Sequence, residues 1–330
     1  MENHHSYANV PIIDISPLST GDLNAKMEVA KQIDEACQDS GFFYAANHGL
    51  DLQGFVDVTT KFHQTITDEE KNQLSIAAYN ADNVKQIRNG YSPPVKGKKP
   101  QENLCFLNPS FTEDHPAIKA NLPGHEVNVW PDDSKHPGFR EYQESYYRKV
   151  FDLSVNLLRG FALALGRSEC FFDDHITKDG TLSSVVLIRY PYLANYPPVE
   201  VASDGTNLGF GSHKDVSLIT VLFQSDVQNL QVETPEGYKD IPSSRDCFLV
   251  NVGSYMDYIT NGYYKAPVHR VKFVNAERLS LPFFVNLDYD GEISPFIPHN
   301  EDVKSENTRL KYGQYLQQEL LTLIDSNGQT

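Results

Sequence analysis

The chain predicts a mainly β fold with flanking helices, and three observations predict it. Helical periodicity is confined to the first half and the last few turns. After residue 180, short runs rich in β-branched and aromatic residues follow one another with turn residues between them. No strand–helix–strand alternation joins these runs, so they fit an antiparallel sandwich or jelly roll. The expected architecture is a double-stranded β-helix core buttressed by N-terminal and central helices.

Each element has its own signal. Met27, Ala30, Ile33 and Cys37 recur at helical spacing within 26–37, and Gly41 lies just beyond as a stop. Phe42-Phe-Tyr-Ala-Ala46 reads as a buried strand ending at the Asn47-His48-Gly49 turn, where His48 is a hydrogen-bonded turn residue. Phe55, Val58 and Phe62 share one face of a second helix, and Thr67-Asp-Glu-Glu70 has the form of a capping box opening another. Residues 81–137 are rich in Pro, Gly and Asn and hold two or three short extended pieces. The longest helical pattern covers 139–165 and closes at Gly166; its stripe of Tyr142, Tyr146, Val150, Leu153, Leu157, Phe161 and Leu165 is core. Strands follow over 184–190, 217–223, 228–233, 238–241, 246–251, 268–274 and 280–287, with a hairpin at Thr234-Pro-Glu-Gly237. A last helix over 312–324 carries Tyr315, Leu316, Leu320 and Ile324 on one face. One domain over 1–330 is expected: a mixed part to 180, a jelly-roll core over 181–290, and a loop and helix over 291–330.

Composition narrows the function. A hydrophobic fraction of 40% with 22% charged residues is that of a soluble globular protein. The net charge of −16 repels a phosphate backbone or an anionic membrane, and Lys96-Gly-Lys-Lys99 is too short to offset it. Cys37, Cys105, Cys170 and Cys247 are isolated, as suits reduced thiols, and none is spaced with a histidine as a nucleophile. There is no signal pattern and no apolar run near the ~20 residues that cross a bilayer. A cytoplasmic protein is expected, monomeric and without nucleic-acid or membrane partners.

The chemistry lies in His213-x-Asp215 and in His269, fifty-four residues beyond Asp215. Two imidazoles and one carboxylate on one face of a metal form the facial triad of non-haem Fe(II) oxygenases, with positions left open for dioxygen and a substrate atom. Both segments are expected on strands, 216–223 and 268–274, which puts the site inside the mouth of the barrel. Nine residues after His269 stands Arg278-Leu-Ser280, a guanidinium and a hydroxyl suited to gripping a carboxylate.

With these residues in place, the chain resembles the isopenicillin N synthase family, within the non-haem iron and 2-oxoglutarate-dependent oxygenase superfamily. The resemblance runs from Val10-Pro-Ile-Ile-Asp-Ile-Ser16 through Gly41–Gly49, His125–Pro131, Ser184–Tyr192, Asp215–Leu222, Asn229–Thr234 and Tyr263–Arg270 to Asn327-Gly-Gln-Thr330. It implies closure of both the β-lactam and the thiazolidine ring of a linear aminoadipoyl-cysteinyl-valine peptide. One O₂ takes four electrons and leaves as two waters, without 2-oxoglutarate. The resemblance also implies Fe(II) as cofactor, O₂ as cosubstrate and ascorbate as a reductant. By position it gives His213, Asp215 and His269 as iron ligands, with Gln329 as an extra ligand in the substrate-free form. Arg278, Ser280 and Tyr190 match residues around the valine carboxylate, Arg88 matches the partner of the aminoadipoyl carboxylate, and Ser184 lines the same cleft. Phe210, Leu222, Leu230, Val271, Pro282 and Phe284 form an apolar wall around the valine side chain.

The sequence departs from the family at four places. Gly211 and Ser212 stand where an acidic and a large ring side chain are usual, Lys214 where Glu or Gln is, and Ser92 where a second tyrosine is. Strand alternation points Lys214 away from the metal. Two other readings compete: a 2-oxoglutarate-dependent hydroxylase or desaturase whose Arg278 and Ser280 grip the cosubstrate, and a barrel that binds a small acidic ligand or metal without catalysis.

Overall fold

The computed structural model describes residues 7–75, 88–95, 99–192, 198, 200–304 and 310–319. The element order is β1 (Ile12–Asp14), α1 (Ser16–Thr20), α2 (Leu23–Asp39), β2 (Phe42–Ala46), α3 (Leu52–Thr65), α4 (Asp68–Leu74), β3 (Gly90–Ser92), β4 (Glu102–Phe106), α5 (Pro116–Lys119) and α6 (Phe139–Ala164). Then come β5 (Ser184–Tyr190), β6 (Glu200–Val201), β7 (Asn207–His213), β8 (Ile219–Gln224), β9 (Leu230–Thr234), β10 (Gly237–Asp240), β11 (Phe248–Val252), α7 (Ser254–Ile259), β12 (His269–Lys272), β13 (Arg278–Val285), β14 (Phe296–Ile297) and β15 (Asn300–Lys304). A further helix covers 312–319.

Local chemistry sets the ends of the helices. Asp22 accepts from the Ala25 N–H and Asp51 from the Gly54 N–H, which starts α2 and α3 earlier than hydrophobic spacing alone indicated. The capping box at α4 is present, with Thr67 and Glu70 each bonding the other's backbone. Helix α6 runs to Ala164 and the chain reverses through Gly166 at a φ of +70°.

Two sheets face each other. The larger has the order β1-β2-β11-β8-β13-β5-β4-β3, and the smaller β10-β9-β12-β7-β6. Along the larger sheet successive side chains go to opposite faces. Phe43 and Ala45, Val185 and Leu187, Ile219, Val221 and Phe223, and Leu279, Leu281, Phe283 and Val285 join the main hydrophobic cluster with α2 and α6. Their neighbours Phe42, Tyr44, Tyr190 and Leu249 join a second cluster with Leu230, Val232 and Val271 of the smaller sheet. The second cluster fills the space between the sheets, which is the barrel lumen. The stripe on α6 is core as expected: Tyr146, Val150, Leu153, Leu157, Phe161 and Leu165 are buried.

One expectation changes. His213 closes β7, but Asp215 lies in the loop before β8, which begins only at Ile219. The β7 strand itself was not read from the sequence. Of the final helix, Leu320 and Ile324 lie outside the described residues. No helix among the described residues is long and apolar enough to cross a membrane.

Candidate metal centre and substrate cleft

Cross-strand register builds the site. In the smaller sheet His269 of β12 pairs directly with His213 of β7, so the two imidazoles stand side by side with ring centroids 4.2 Å apart. Asp215 reaches them from the loop: its Oδ1 lies 3.8 Å from His213 Nε2 and 3.7 Å from His269 Nε2. One ligand atom from each of the three falls within 4.8 Å of the others.

The surroundings hold each group in a ligating form. Asp215 Oδ2 accepts from Thr220 Oγ1 at 2.7 Å and from Asn251 Nδ2 at 2.9 Å, which leaves Oδ1 turned to the imidazoles. Thr220 and Asn251 are themselves a cross-strand pair of β8 and β11. Thus the larger sheet orients the carboxylate and the smaller sheet carries the histidines. Ser254 grips the Asp215 backbone carbonyl with both its N–H and its hydroxyl. Gly253 permits that approach, since a Cβ there would overlap the Ser217 carbonyl oxygen. His213 Nδ1 lies 2.9 Å from the Gly211 carbonyl and His269 Nδ1 3.2 Å from that of Pro267, so Nδ1–H is held by backbone and the Nε2 lone pair faces Asp215. Phe42 stands edge-on to His269.

Burial, then the neighbouring His269, pushes the His213 imidazole down to about 4, so it stays neutral near pH 7. Burial alone would raise the Asp215 carboxyl. His269, His213, Asn251 and Thr220 outweigh it and hold the carboxyl below its usual range. Two imidazoles and one carboxylate oxygen, oriented from behind, fit Fe(II) with open positions.

From this end the lumen face of the larger sheet is laid out in transverse rows. Ser184, Phe284, Thr220, Asn251 and Phe42 form the row nearest the triad. The next contains Pro282, Leu222, Leu249 and Tyr44. Beyond it, Ser92, Asn103, Ile188, Ser280 and Gln224 are successive partners, and Tyr190 and Arg278 pair in the last row. Four residues of β13 separate Phe284 from Ser280, about 13 Å of strand. Across the lumen Leu230 pairs with Val271, which pairs with Phe210.

The structure therefore brings together most of the residues the sequence singled out. Leu222, Leu230, Val271 and Tyr190 share the lumen cluster. Arg278 is only 4% exposed, and its guanidinium stacks 3.8 Å from the centre of the Tyr190 ring. Its Nε has no partner among the described residues. Burial lowers its pKa and Tyr190 opposes that. Arg88 is elsewhere: it donates from Nη2 to the Leu182 carbonyl at 3.0 Å, near the opposite end of β5 from Tyr190. The seven residues of β5, roughly 20 Å of strand, lie between the Arg88 anchor at Leu182 and the row of Arg278. Phe210 is 43% exposed and lies edge-on to His213 at the rim, paired with Val271 of β12 but beyond the reach of the two-residue β6, which ends opposite Leu208. Gln329 lies outside the described residues.

Three of the four departures from the family pattern have side-chain partners of their own. Ser212 bonds Tyr238 Oη at 2.8 Å, Lys214 Nζ lies 3.6 Å from Asp257 away from the triad, and Ser92 Oγ accepts from Lys99 Nζ at 2.6 Å. A Cβ at Gly211 would meet only Glu200 Oε2, at 3.4 Å.

Residues 182–287 match the 2OG-Fe(II) oxygenase superfamily, and residues 10–133 the N-terminal region of a non-haem dioxygenase in morphine synthesis. Curated isopenicillin N synthases align over nearly the whole chain. That of Hapsidospora chrysogena is 58% identical over 330 residues, and that of Penicillium chrysogenum 57% over 325, each covering 98% of both chains. The Streptomyces clavuligerus enzyme is 56% identical over 323 residues, again covering 98% of both. The chain belongs to the isopenicillin N synthase family. In fold it is similar to a full-length Neurospora crassa protein in complex with alpha-KG, with a TM-score of 0.79 at 23% identity over 97% of this chain and 99% of that one. A putative 2OG-Fe(II) oxygenase family protein of Caulobacter crescentus gives 0.76 at 21%, over 96% and 99%.

Four supporting residues escaped the sequence reading: Thr220, Asn251, Ser254 and Phe42. Their relation to the triad is one of register and loop contact, which no spacing motif records.

Proposed function

We propose that the chain is an Fe(II)- and O₂-dependent oxidase that converts aminoadipoyl-cysteinyl-valine to isopenicillin N, closing both rings without 2-oxoglutarate. The observation that carries this reading is the buried Arg278, which has no carboxylate partner among the described residues and sits in the same lumen as a complete two-histidine, one-carboxylate set. A buried guanidinium costs free energy until an anion joins it. The high identity to isopenicillin N synthases supports the peptide's C-terminal carboxylate as that anion.

His213, Asp215 and His269 would hold Fe(II), which when bound would supply the redox chemistry that couples oxidation of the peptide to reduction of O₂. Every other task falls to the protein. Arg278, Ser280 and Tyr190 bind and orient the valine carboxylate, Arg88 takes the aminoadipoyl carboxylate, and Ser184 lines the cleft between. Leu222, Leu230, Val271, Pro282 and Phe284 enclose the valine side chain and exclude water, with Phe210 at the rim. The protein works as a cytoplasmic monomer, with ascorbate keeping the iron ferrous.

Anaerobic Fe(II) binding followed by the peptide and O₂, without 2-oxoglutarate, tests the reading. The expected product is four hydrogens lighter than the peptide. Succinate release with added 2-oxoglutarate, and no bicyclic product, would replace the proposal with a hydroxylase or desaturase.

A further inference from the structure

Gln224 is the last residue of β8 and a cross-strand partner of Ser280. It shares strand parity with Thr220, which bonds Asp215, and with Leu222, which packs on the lumen cluster; Phe223 goes to the main core instead. The Gln224 side chain therefore belongs to the lumen face, beside the hydroxyl of Ser280 and one row from Arg278. It is 4% exposed, and its Nε2 has no hydrogen-bond partner among the described residues. A buried amide N–H₂ without an acceptor is unfavourable, and natural interiors rarely keep one without a use. Arg278 Nε, in the neighbouring row, is in the same condition. Two orphaned donors and a hydroxyl thus stand on adjacent rows of one lumen face, where among the described residues no carboxylate acts on Arg278.

We infer that Gln224 is a further substrate-binding residue: its amide donates to the same peptide carboxylate that Arg278 and Ser280 engage. This rests on the peptide reading above. A neutral donor suits the place. It adds a hydrogen bond to the anion without burying a second cation beside Arg278, which would cost more than it returned.

The test compares two peptides on the Fe(II)-loaded enzyme without oxygen, by calorimetric Kd. One is aminoadipoyl-cysteinyl-valine. The other has isobutylamine in place of valine, which keeps the side chain and deletes the carboxylate. Gln224→Leu, similar in size and apolar, should weaken the full peptide roughly tenfold or more and leave the truncated one unchanged. Gln224→Glu should weaken the full peptide further still, because two carboxylates then face each other, again sparing the truncated one. Equal losses for both peptides, or no loss for either, would overturn the inference by showing a packing role or none. Wild-type enzyme that bound neither peptide would overturn the peptide reading itself, and this inference with it. Fe(II) affinity of both variants should match the wild type, which separates an effect on the cleft from one on the metal.

Discussion

The Asp215 carboxylate shows how much of a metal site lies outside its ligands. One of its oxygens is committed to Thr220 and Asn251, so the other can point only between the two imidazoles. Thr220→Val keeps the shape of the side chain and removes one of these bonds. It should weaken Fe(II) binding about 10- to 100-fold, the usual size for removing a hydrogen bond behind a ligand, with the circular dichroism spectrum unchanged. Asp215→Ala should abolish iron binding altogether under the same anaerobic titration. Wild-type Fe(II) affinity in either variant would show that the carboxylate is not held for a metal. At this scale the sequence was informative about what carries chemistry and silent about what supports it. His213, Asp215, His269 and the Arg278–Ser280 pair announce themselves by residue type and spacing. Thr220, Asn251 and Gln224 are ordinary strand residues, and Ser254 the ordinary first residue of α7, until the fold sets them beside those groups.

Among the elements, a buried charge network ties the helical layer to the edge of the larger sheet. Glu102 of β4 accepts from Lys71 of α4 at 2.7 Å, Tyr91 of β3 at 2.6 Å and Arg189 of β5 at 2.8 Å, with His63 of α3 3.4 Å away. Arg189 also binds Glu277, immediately before Arg278, so the network steadies the end of the cleft where the proposed carboxylate clamp lies. Burial alone would raise the Glu102 carboxyl, but these donors hold it well below the ordinary range. Its folded-state value is therefore lower than its unfolded one. The stability it contributes is complete above about pH 4.5 and is lost as pH falls toward the folded value. Glu102→Gln should cost about 3–5 kcal/mol near neutrality, since the cations around it lose their partner, and should flatten the acid limb of a stability–pH profile. An unchanged acid limb in urea titrations would assign the acid sensitivity elsewhere. The elements that could be read in advance were those with clean patterns, such as β5, β13 and the stripe on α6. Strand β7 could not be: Asn207-Leu-Gly-Phe-Gly-Ser-His213 holds two glycines and little β-branched character, and only pairing with β12 and β6 makes it a strand. Helix α7 is six residues long and was too short to show a period.

Across the whole molecule the hydrophobic main core and the lumen are separate compartments that share one sheet. Phe161 of α6 is fully buried against Phe43 and Tyr264, on the face of the sheet away from the triad. Phe161→Ala should lower unfolding free energy by about 3–5 kcal/mol in denaturant titrations and leave Fe(II) affinity of the folded fraction near the wild-type value. A large loss of metal affinity without loss of stability would mean that the helical layer reaches the site directly. Helices before strands, and strands without crossover helices, made this layered plan legible from the sequence. The division of labour between the two sheets was not, because it depends on which strands become neighbours.

The alternation along β5, β8, β11 and β13 has a further consequence for how such a protein changes over generations. In the proposed reading, odd and even positions of the same few strands answer to different demands, one set to stability and the other to the ligand. A replacement at Leu222, Ser280 or Pro282 would then try out a new substrate while Val221, Leu281 and Phe283 beside it keep the fold intact. The strands thus carry two interleaved messages, and selection can rewrite one without erasing the other.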